Sequence, residues 1–189
     1  MKRSERLVRN TLLMLGGLLV LHAGASRLYA VDDHAIPMER ATPVQLATLR
    51  HFTAILVEGD FALEVVQGAG YSVEFTPPSP GEGRFYAVVH DNTLLLGGSG
   101  NVPGSRARVT LPVLNKLNAG RVEALSVSGF DADELSLRTE TVQRVTLRNN
   151  RVREWQIRSE RVVDLQIDHA SISAGKVDLS GRATLTVID

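Results

Sequence analysis

The sequence predicts an all-β protein whose C-terminal half is a β-solenoid, a parallel β-helix-like stack of coils of about 20 residues with two short strands each. Three observations predict this class. A short apolar phrase recurs at ten-residue intervals between residues 122 and 167. Leu125, Val145, Leu165 and Leu185 keep a spacing of 20 residues throughout. The polar connections between the phrases lack the Asn-Gly and Gly-Gly pairs that tight hairpins prefer, so we expect them to be corners.

The ten-residue interval alone also fits a meander of short antiparallel strands. Extra residues near Gly175 shift the alternate set of apolar positions by two, yet Leu185 returns to the 20-residue spacing. Each hairpin of a meander adjusts its own turn and has no need to restore that spacing, so its restoration favours the solenoid. Strand pleating then directs Leu125, Val127 and their equivalents inward and Ser126 and its equivalents outward. Trp155 is expected in the core, where its indole N–H needs a partner or an exit to water.

From His51 the first half of the domain predicts shorter strands joined by hairpins, because β-branched and aromatic runs alternate with turn residues. The apolar runs are residues 52–57, 61–68, 71–75, 85–89, 93–96 and 106–112. His90-Asp91-Asn92 has the composition of a tight turn. Residues 77–83, with three prolines, and the glycine-rich stretch from Gly97 to Gly104 are expected to be loops. This strand-rich half is therefore expected to be antiparallel and to contain hairpins.

The N-terminus predicts export. A basic start precedes about ten apolar residues, the length of a secretory h-region and short of the roughly 20 that span a bilayer. We expect residues 1–25 to be a signal peptide, with cleavage as late as residue 30, and an uncleaved N-terminal anchor is the alternative. Residues 26–50 are expected to be a linker with a turn of helix from Pro43 to Leu49, and residues 51–189 a single β-solenoid domain. The protein is then periplasmic or on the cell surface of a bacterium.

Charge and cysteine content limit the partners. Lys plus Arg and Asp plus Glu each number 21, but residues 1–30 hold five of the basic residues and one acid, so the remainder is mildly acidic. It carries no basic tract suited to nucleic-acid phosphates, and no nucleic-acid partner is expected. The chain contains no cysteine, so its stability has to come from apolar packing and backbone ladders.

The order of apolar residues from Phe52 onward resembles a known bacterial family. The matching residues are Phe52-x-x-Ile55-x-Val57-Glu58-Gly59-Asp60-Phe61, then Val89-His90-Asp91-Asn92-x-Leu94, then Ala107-x-Val109-x-Leu111-Pro112. This succession is similar to the family named "putative auto-transporter adhesin, head GIN domain", over roughly residues 51–189. The resemblance implies a β-solenoid of parallel-stacked short strands in exported proteins, and it brings no functional residues. No transmembrane barrel is expected at the C-terminus.

No catalytic, cofactor-binding or metal-binding site is expected. The histidines outside the leader are dispersed, without a second histidine or a cysteine at ligand spacing. They are His34, His51, His90 and His169. Asp168-His169-x-Ser171 contains residue types used in acyl transfer, but adjacency in sequence does not build the required chain of contacts in space. Gly97-Gly98-Ser99-Gly100 lacks the lysine and the helix of a phosphate-binding loop.

Four arginines form the candidate binding strip: Arg138, Arg148, Arg151 and Arg158. A 20-residue register stacks Arg138 and Arg158 on one side and places Arg148 below Asp168 on the other. Such charges form either a solvated surface paired with nearby acids or a strip that binds an anionic sugar or lipid headgroup.

These features favour an exported, non-enzymatic cell-envelope module that is structural or adhesin-like and binds an envelope protein or a polysaccharide. The alternative is a polysaccharide-active enzyme on a β-helix scaffold, which would use Asp164 or Asp168. The last strand, residues 185–189, has no obvious cap, so we expect either homo-association through this C-terminal edge or an element that covers it.

Overall fold

The computed structural model describes residues 36–38, 48–77, 79, 84–99, 104–169, 171–180 and 183–188. The chain divides into Met1–Ala35 and Ile36–Asp189, and all described residues belong to the second unit. They are all-β, with twelve strands in one sheet. Among the described residues, no helix is long and apolar enough to cross a membrane. The predicted leader and most of the predicted helical turn from Pro43 lie outside the described residues.

The strands follow one another along the chain without an intervening α-helix in the described ranges. They are β1 (Ile36–Pro37), β2 (Ala54–Glu58), β3 (Ala62–Gln67), β4 (Ser72–Thr76), β5 (Arg84–His90), β6 (Thr93–Ser99), β7 (Arg106–Leu111), β8 (Lys116–Ser128), β9 (Asp131–Arg148), β10 (Arg151–Asp168), β11 (Ser171–Leu179) and β12 (Thr184–Ile188). The sheet curves round on itself until it is nearly closed, so that alternate side chains share one core.

The C-terminal strands pair in parallel with a constant offset of 20 residues. Leu125 is in register with Val145, Val145 with Leu165, and Leu165 with Leu185. Strands β8, β9 and β10 each contain two pairing segments, and β11 and β12 together supply two more. We call each such pair of segments a layer. The parallel register excludes the antiparallel meander for this half of the protein.

The first half of the domain adds two further layers, and here the expectation of an antiparallel half was wrong. Strands β2 and β3 pair in parallel with the two segments of β8. On their other side, they pair in parallel with β6 and β7. The layers therefore lie in the order β6–β7, β2–β3, β8, β9, β10 and β11–β12. Composition identified the strands but could not show that the Gly59 turn leads round a corner rather than back along a hairpin.

The predicted hairpins are restricted to the outer end of this stack. Strand β5 pairs antiparallel with β6 through a turn in which Asp91 and Asn92 have φ of 48° and 58°, as a two-residue hairpin requires. Strand β4 pairs antiparallel with β7, and β1 with β5. Phe75 of β4 stacks on Phe85 of β5 with ring centroids 3.3 Å apart, and Phe61 meets the edge of Phe85. These antiparallel strands and their aromatic rings cover this end of the core.

The prediction of a loop was wrong for Gly97, Gly98 and Ser99, which belong to β6. A side chain at Gly97 would collide with the ring of Tyr86, and one at Gly98 with the ring of Phe85. The two glycines therefore give space to aromatic rings of the neighbouring strand rather than flexibility to a loop.

One corner of the stack repeats the same backbone conformation in three layers. Gly129, Asn149 and His169 have φ of 81°, 51° and 49° and occupy equivalent positions 20 residues apart. Asn150, which is fully buried, follows in the same corner. Its Oδ1 accepts a hydrogen bond from Phe130 N, and its Nδ2 donates to Val127 O. Residues 149 and 150 lie between β9 and β10, and Asn150 links two layers. The other two predicted corners, residues 138–141 and 158–161, lie inside the continuous strands β9 and β10.

The core follows the predicted alternation through β10 and changes at the last layer. Leu125, Val145 and Leu165 are at most 1% exposed, and Trp155 is fully buried. No hydrogen-bond partner for Trp155 Nε1 is found within the described part of the chain. In the last layer, Leu185 and Val187 are 49% and 60% exposed although they continue the inward-facing rows. The end of the stack opposite the aromatic rings is thus uncovered by the described residues.

Two ordered contacts occur within residues 26–50, the segment predicted to be a linker. Ile36 and Pro37 form β1, and Leu49 is 2% exposed in the core. Leu49 therefore anchors the chain immediately before the domain.

Candidate functional site

The structure brings two of the four predicted arginines together and separates the other two. Arg138 and Arg158 are in register on neighbouring layers and lie on the outer surface of the first segments. Arg148 lies on a second segment, where its Nε is 3.5 Å from Asp168 Oδ2. Arg151 begins β10 at the corner, in register with Asp131 and Ser171. A binding surface has to be built around Arg138 and Arg158.

These two arginines belong to a larger group of outward side chains that covers four layers. Each layer contributes two positions, separated by one inward residue, and together they line a shallow depression. We call this surface the cationic face: Lys116 and Asn118 of β8, Ser136 and Arg138 of β9, Gln156 and Arg158 of β10, and Lys176 and Asp178 of β11. It holds four cationic side chains and one acid. At about 4.8 Å between neighbouring strands, the four layers span about 14 Å.

Most of the charge on the cationic face is available for binding. Arg138 Nη2 lies 3.3 Å from Glu160 Oε1, which neutralises part of its charge. Within the described residues, Lys116, Arg158 and Lys176 make no ion pair, and all three are exposed. The local balance therefore stays positive although the domain as a whole is mildly acidic.

Two polar atoms at the base of the cationic face have no hydrogen-bond partner among the residues described. They are Asn118 Oδ1 and Arg138 Nε, and both are shielded from solvent. Their residues are neighbours across the β8–β9 pairing. A buried polar atom left unpaired costs about 1–3 kcal/mol, so these two atoms destabilise the base of the cationic face.

Sequence reasoning missed Lys116 and Lys176. The signal was present, because Lys116 and Lys176 stand at the same position of layers that are three 20-residue steps apart. To find the two lysines, the 20-residue register has to be applied also to the outward positions two residues before Arg138 and Arg158.

The opposite outer surface, formed by the second segments, carries paired charges instead. Arg144 Nε lies 3.5 Å from Asp164 Oδ2, and the Arg148–Asp168 pair repeats the same arrangement four residues later. Arg108 and Glu64 approach to 3.7 Å on earlier layers. Each acid is thus compensated by an arginine of a neighbouring strand.

This arrangement does not favour the polysaccharide-active alternative. Asp164 and Asp168 lie four residues apart on one strand, which separates them by about 13 Å at 3.3 Å per residue. Glycoside hydrolysis needs two carboxyl groups about 5–9.5 Å apart, one of them held protonated. Each aspartate instead has an oxygen 3.5 Å from the Nε of an arginine on the neighbouring strand.

The Asp168-His169 pair is a local contact of the corner. His169 Nδ1 lies 2.7 Å from Asp168 Oδ1, and both residues stand at the end of β10. The side chain of Ser171 and the whole of His34 lie outside what the structure describes. No group of three or more His, Asp or Glu side chains that could hold a metal ion occurs within the described ranges.

A small acidic group borders the cationic face. Glu58 of β2 lies against Gly120, where a side chain would come within 2.7 Å of its carboxylate. Burial raises the pKa of Glu58 above its ordinary value, and the charge of Glu140 raises it further, while Arg121 opposes both. Arg121 Nε is 2.9 Å from Asp60 Oδ1.

Comparisons with known proteins identify distant structural likenesses. No family model matches the chain, and no curated protein matches it. Similar solved structures include a "putative adhesin" from Bacteroides fragilis NCTC 9343, with a TM-score of 0.41, 13% identity, and coverage of 75% of this chain and 93% of that one. Another "putative adhesin", from Parabacteroides merdae ATCC 43184, has a TM-score of 0.46, 12% identity, and coverage of 74% and 78%. Likenesses this distant carry neither fold nor function over to this chain, and membership of the GIN domain family stays a prediction.

Proposed function

We propose that this protein is a non-enzymatic module of the bacterial cell envelope that binds an acidic polysaccharide on the cationic face. The observation that carries the proposal is the alignment of Lys116, Arg138, Arg158 and Lys176 over four layers of one flat surface. The predicted leader supports export, and a β-solenoid with 20-residue coils is the fold that we infer from the parallel layers.

The spacing of the cationic face suits an extended chain of anionic sugars. Strands about 4.8 Å apart repeat the binding groups along the axis of the stack, so a linear polymer can contact several layers in succession. The planar guanidinium of Arg158 can bind a carboxylate or sulfate in bidentate geometry. Lys116 and Lys176 provide point charges at the two ends of the face. Gln156, whose Nε2 donates one hydrogen bond to Glu134 Oε1 at 3.0 Å, has a second amide hydrogen and its Oε1 for sugar hydroxyls.

Binding to carboxylated or sulfated glycans tests the proposal directly. We expect the purified protein to bind polygalacturonate or a sulfated glucan in titration calorimetry and to show no binding to neutral dextran. The variant with both Arg138→Gln and Arg158→Gln should bind at least about tenfold more weakly, because it loses two charge-assisted contacts. Affinity should fall as salt is raised, since the contacts are exposed.

Arg144→Gln is the matched control. Arg144 is also an exposed arginine on an outer strand surface, but it faces the other side and is paired with Asp164. The control should retain the affinity of the parent protein. Failure to bind any anionic glycan, or an equal loss in the Arg144→Gln variant, would contradict a site on the cationic face.

A further inference from the structure

The uncovered end of the stack is the second surface that stands out. Strand β11 pairs only with β10 among the described strands, and so does β12, so each has one free edge of backbone donors and acceptors. Val177, Leu185 and Val187 continue the buried rows of the layers below but are 41%, 49% and 60% exposed. Free strand edges beside exposed core positions are sites where another strand pairs.

The residue pattern of β11 specifies what that strand can be. Lys176 and Asp178 flank Val177, and both point outward. If a second β11 pairs antiparallel about Val177, each Lys176 faces Asp178 of the other copy, which gives two cross-strand pairs of opposite charge. The same register places Gly175 opposite Leu179, a small residue opposite a large one.

Strand β12 is self-complementary in the same sense. Antiparallel pairing about Thr186 places Leu185 opposite Val187 of the other copy, so the exposed apolar positions cover one another. Thr186 then faces its own equivalent. Leu185, Thr186 and Val187 are all in parallel register with β10 beneath, so this row of the core extends directly across the junction.

One two-fold axis can satisfy both strands. Val177 lies three residues before Ser180, and Thr186 lies three residues after Ala183, so the two positions are equally far along the chain from the middle of the connection between β11 and β12. The axis is perpendicular to the sheet surfaces and passes between the two copies of Val177 and between the two copies of Thr186. Rotation about it reverses both strands at once. Such an interface is isologous and closed, so it ends in a dimer rather than a filament.

We propose that two copies of this protein associate end to end through β11 and β12 as a two-fold symmetric dimer. The partner is a second copy because the charges and the apolar positions of this edge complement themselves about a single axis. At the opposite end of the stack, the antiparallel strands β1, β4 and β5 with their aromatic rings cover the core. Because the two-fold interface uses the same edge of both copies, association through it stops at two.

Light scattering on the purified chain tests the dimer. We expect twice the protomer mass, falling to one protomer mass in Thr186→Lys, because this outward substitution brings two like charges together on the axis without altering the core. Gln166→Lys, at the equivalent position one layer below, is the control and should stay dimeric. A monomer at the highest soluble concentration, or an open-ended series of oligomers, would overturn the proposal.

A charge exchange distinguishes this register from any other use of the edge. Lys176→Asp places aspartates opposite one another and should give monomers, whereas the double variant Lys176→Asp with Asp178→Lys restores opposite charges and should recover the dimer. Circular dichroism confirms that each variant keeps its strand content. If the double variant is no more dimeric than Lys176→Asp alone, the antiparallel register about Val177 is wrong.

Discussion

At the scale of single residues, Glu58 is the ionisable group in the described part of the protein whose pKa is clearly shifted by the fold. Its carboxyl is half-buried between β6 and β8, and both this burial and the charge of Glu140 raise its pKa, with Arg121 acting in the other direction. The folded protein therefore holds the proton of Glu58 more tightly than the unfolded chain does.

The direction of the resulting pH effect follows from proton binding. Between the ordinary pKa of a glutamate and the raised pKa of Glu58, the folded state binds more protons than the unfolded state. The contribution of Glu58 to the free energy of unfolding therefore decreases as pH rises through that interval. We expect Glu58→Gln to gain stability relative to the parent protein between about pH 4 and pH 7, measured by urea denaturation at both pH values.

A second variant tests the assigned causes. Glu140→Gln removes the second-largest cause and keeps the burial of Glu58, so it should reduce the pH dependence only in part. An unchanged pH dependence in Glu58→Gln would mean that another group is responsible.

At the scale of elements, two neighbouring asparagines stabilise the corner at residues 149 and 150 in different ways, one through its backbone conformation and the other through its side chain. Asn149 adopts φ of 51°, while Asn150 uses its amide to bond Phe130 N and Val127 O in the layer below. Both hydrogen bonds are buried, so neither backbone group can form a hydrogen bond with bulk water instead. The side chain of Asn150 thereby substitutes for backbone pairing at a place where the strands bend apart.

We expect Asn150→Ala to lower the free energy of unfolding by about 2–4 kcal/mol, because two buried backbone groups lose their partners. Asn149→Gly is the control, since glycine adopts positive φ without strain and keeps the backbone bond from residue 149 to Asp168 O. The control should be at least as stable as the parent protein. Urea denaturation measures both, and an Asn150→Ala variant of unchanged stability would show that water enters the corner.

The sequence predicted the layers better than it predicted their order. The 20-residue register could be predicted because Leu125, Val145 and Leu165 are apolar residues at a constant spacing, and all three are buried in the core. Strands β2 and β3 could not be placed by that route, since their partners β6 and β7 follow them in the chain but lie on their outer side. In the sheet, β6 and β7 lie outside β2 and β3 and pair on their outer edges with the antiparallel strands β5 and β4.

The candidate site shows the same division. The register from Arg138 to Arg158 was evident along one column, but a binding face also requires knowing which neighbouring column points outward beside it. Lys116 and Lys176 lie in that column, with Ser136 and Gln156 between them, and a search for charged residues alone passes over the two neutral ones. Pairing within a sheet, rather than order along the chain, joins these residues into one surface.

At the scale of the whole molecule, the proposed glycan site and the proposed dimer affect one another. A two-fold axis through Val177 brings the cationic faces of two copies edge to edge on the same side, because it maps each outer surface onto itself. Arg158, Arg138 and Lys116 then continue from one copy into the other, and the surface lengthens from about 14 Å to about 34 Å at the strand spacing of about 4.8 Å.

A long anionic glycan can bind both halves of such a surface, while a short one can bind only one half. The second contact is then intramolecular and strengthens binding without any new kind of interaction. We expect the monomeric Thr186→Lys variant to bind an anionic polymer at least about tenfold more weakly than the dimer, and a disaccharide of the same sugar equally well. Titration calorimetry with the two ligands measures the difference, with Gln166→Lys as the control. The added lysine by itself would favour a polyanion, so a loss of affinity for the polymer alone can be attributed to the loss of the second copy, whereas equal affinity of monomer and dimer for the polymer would show that each glycan contacts a single copy.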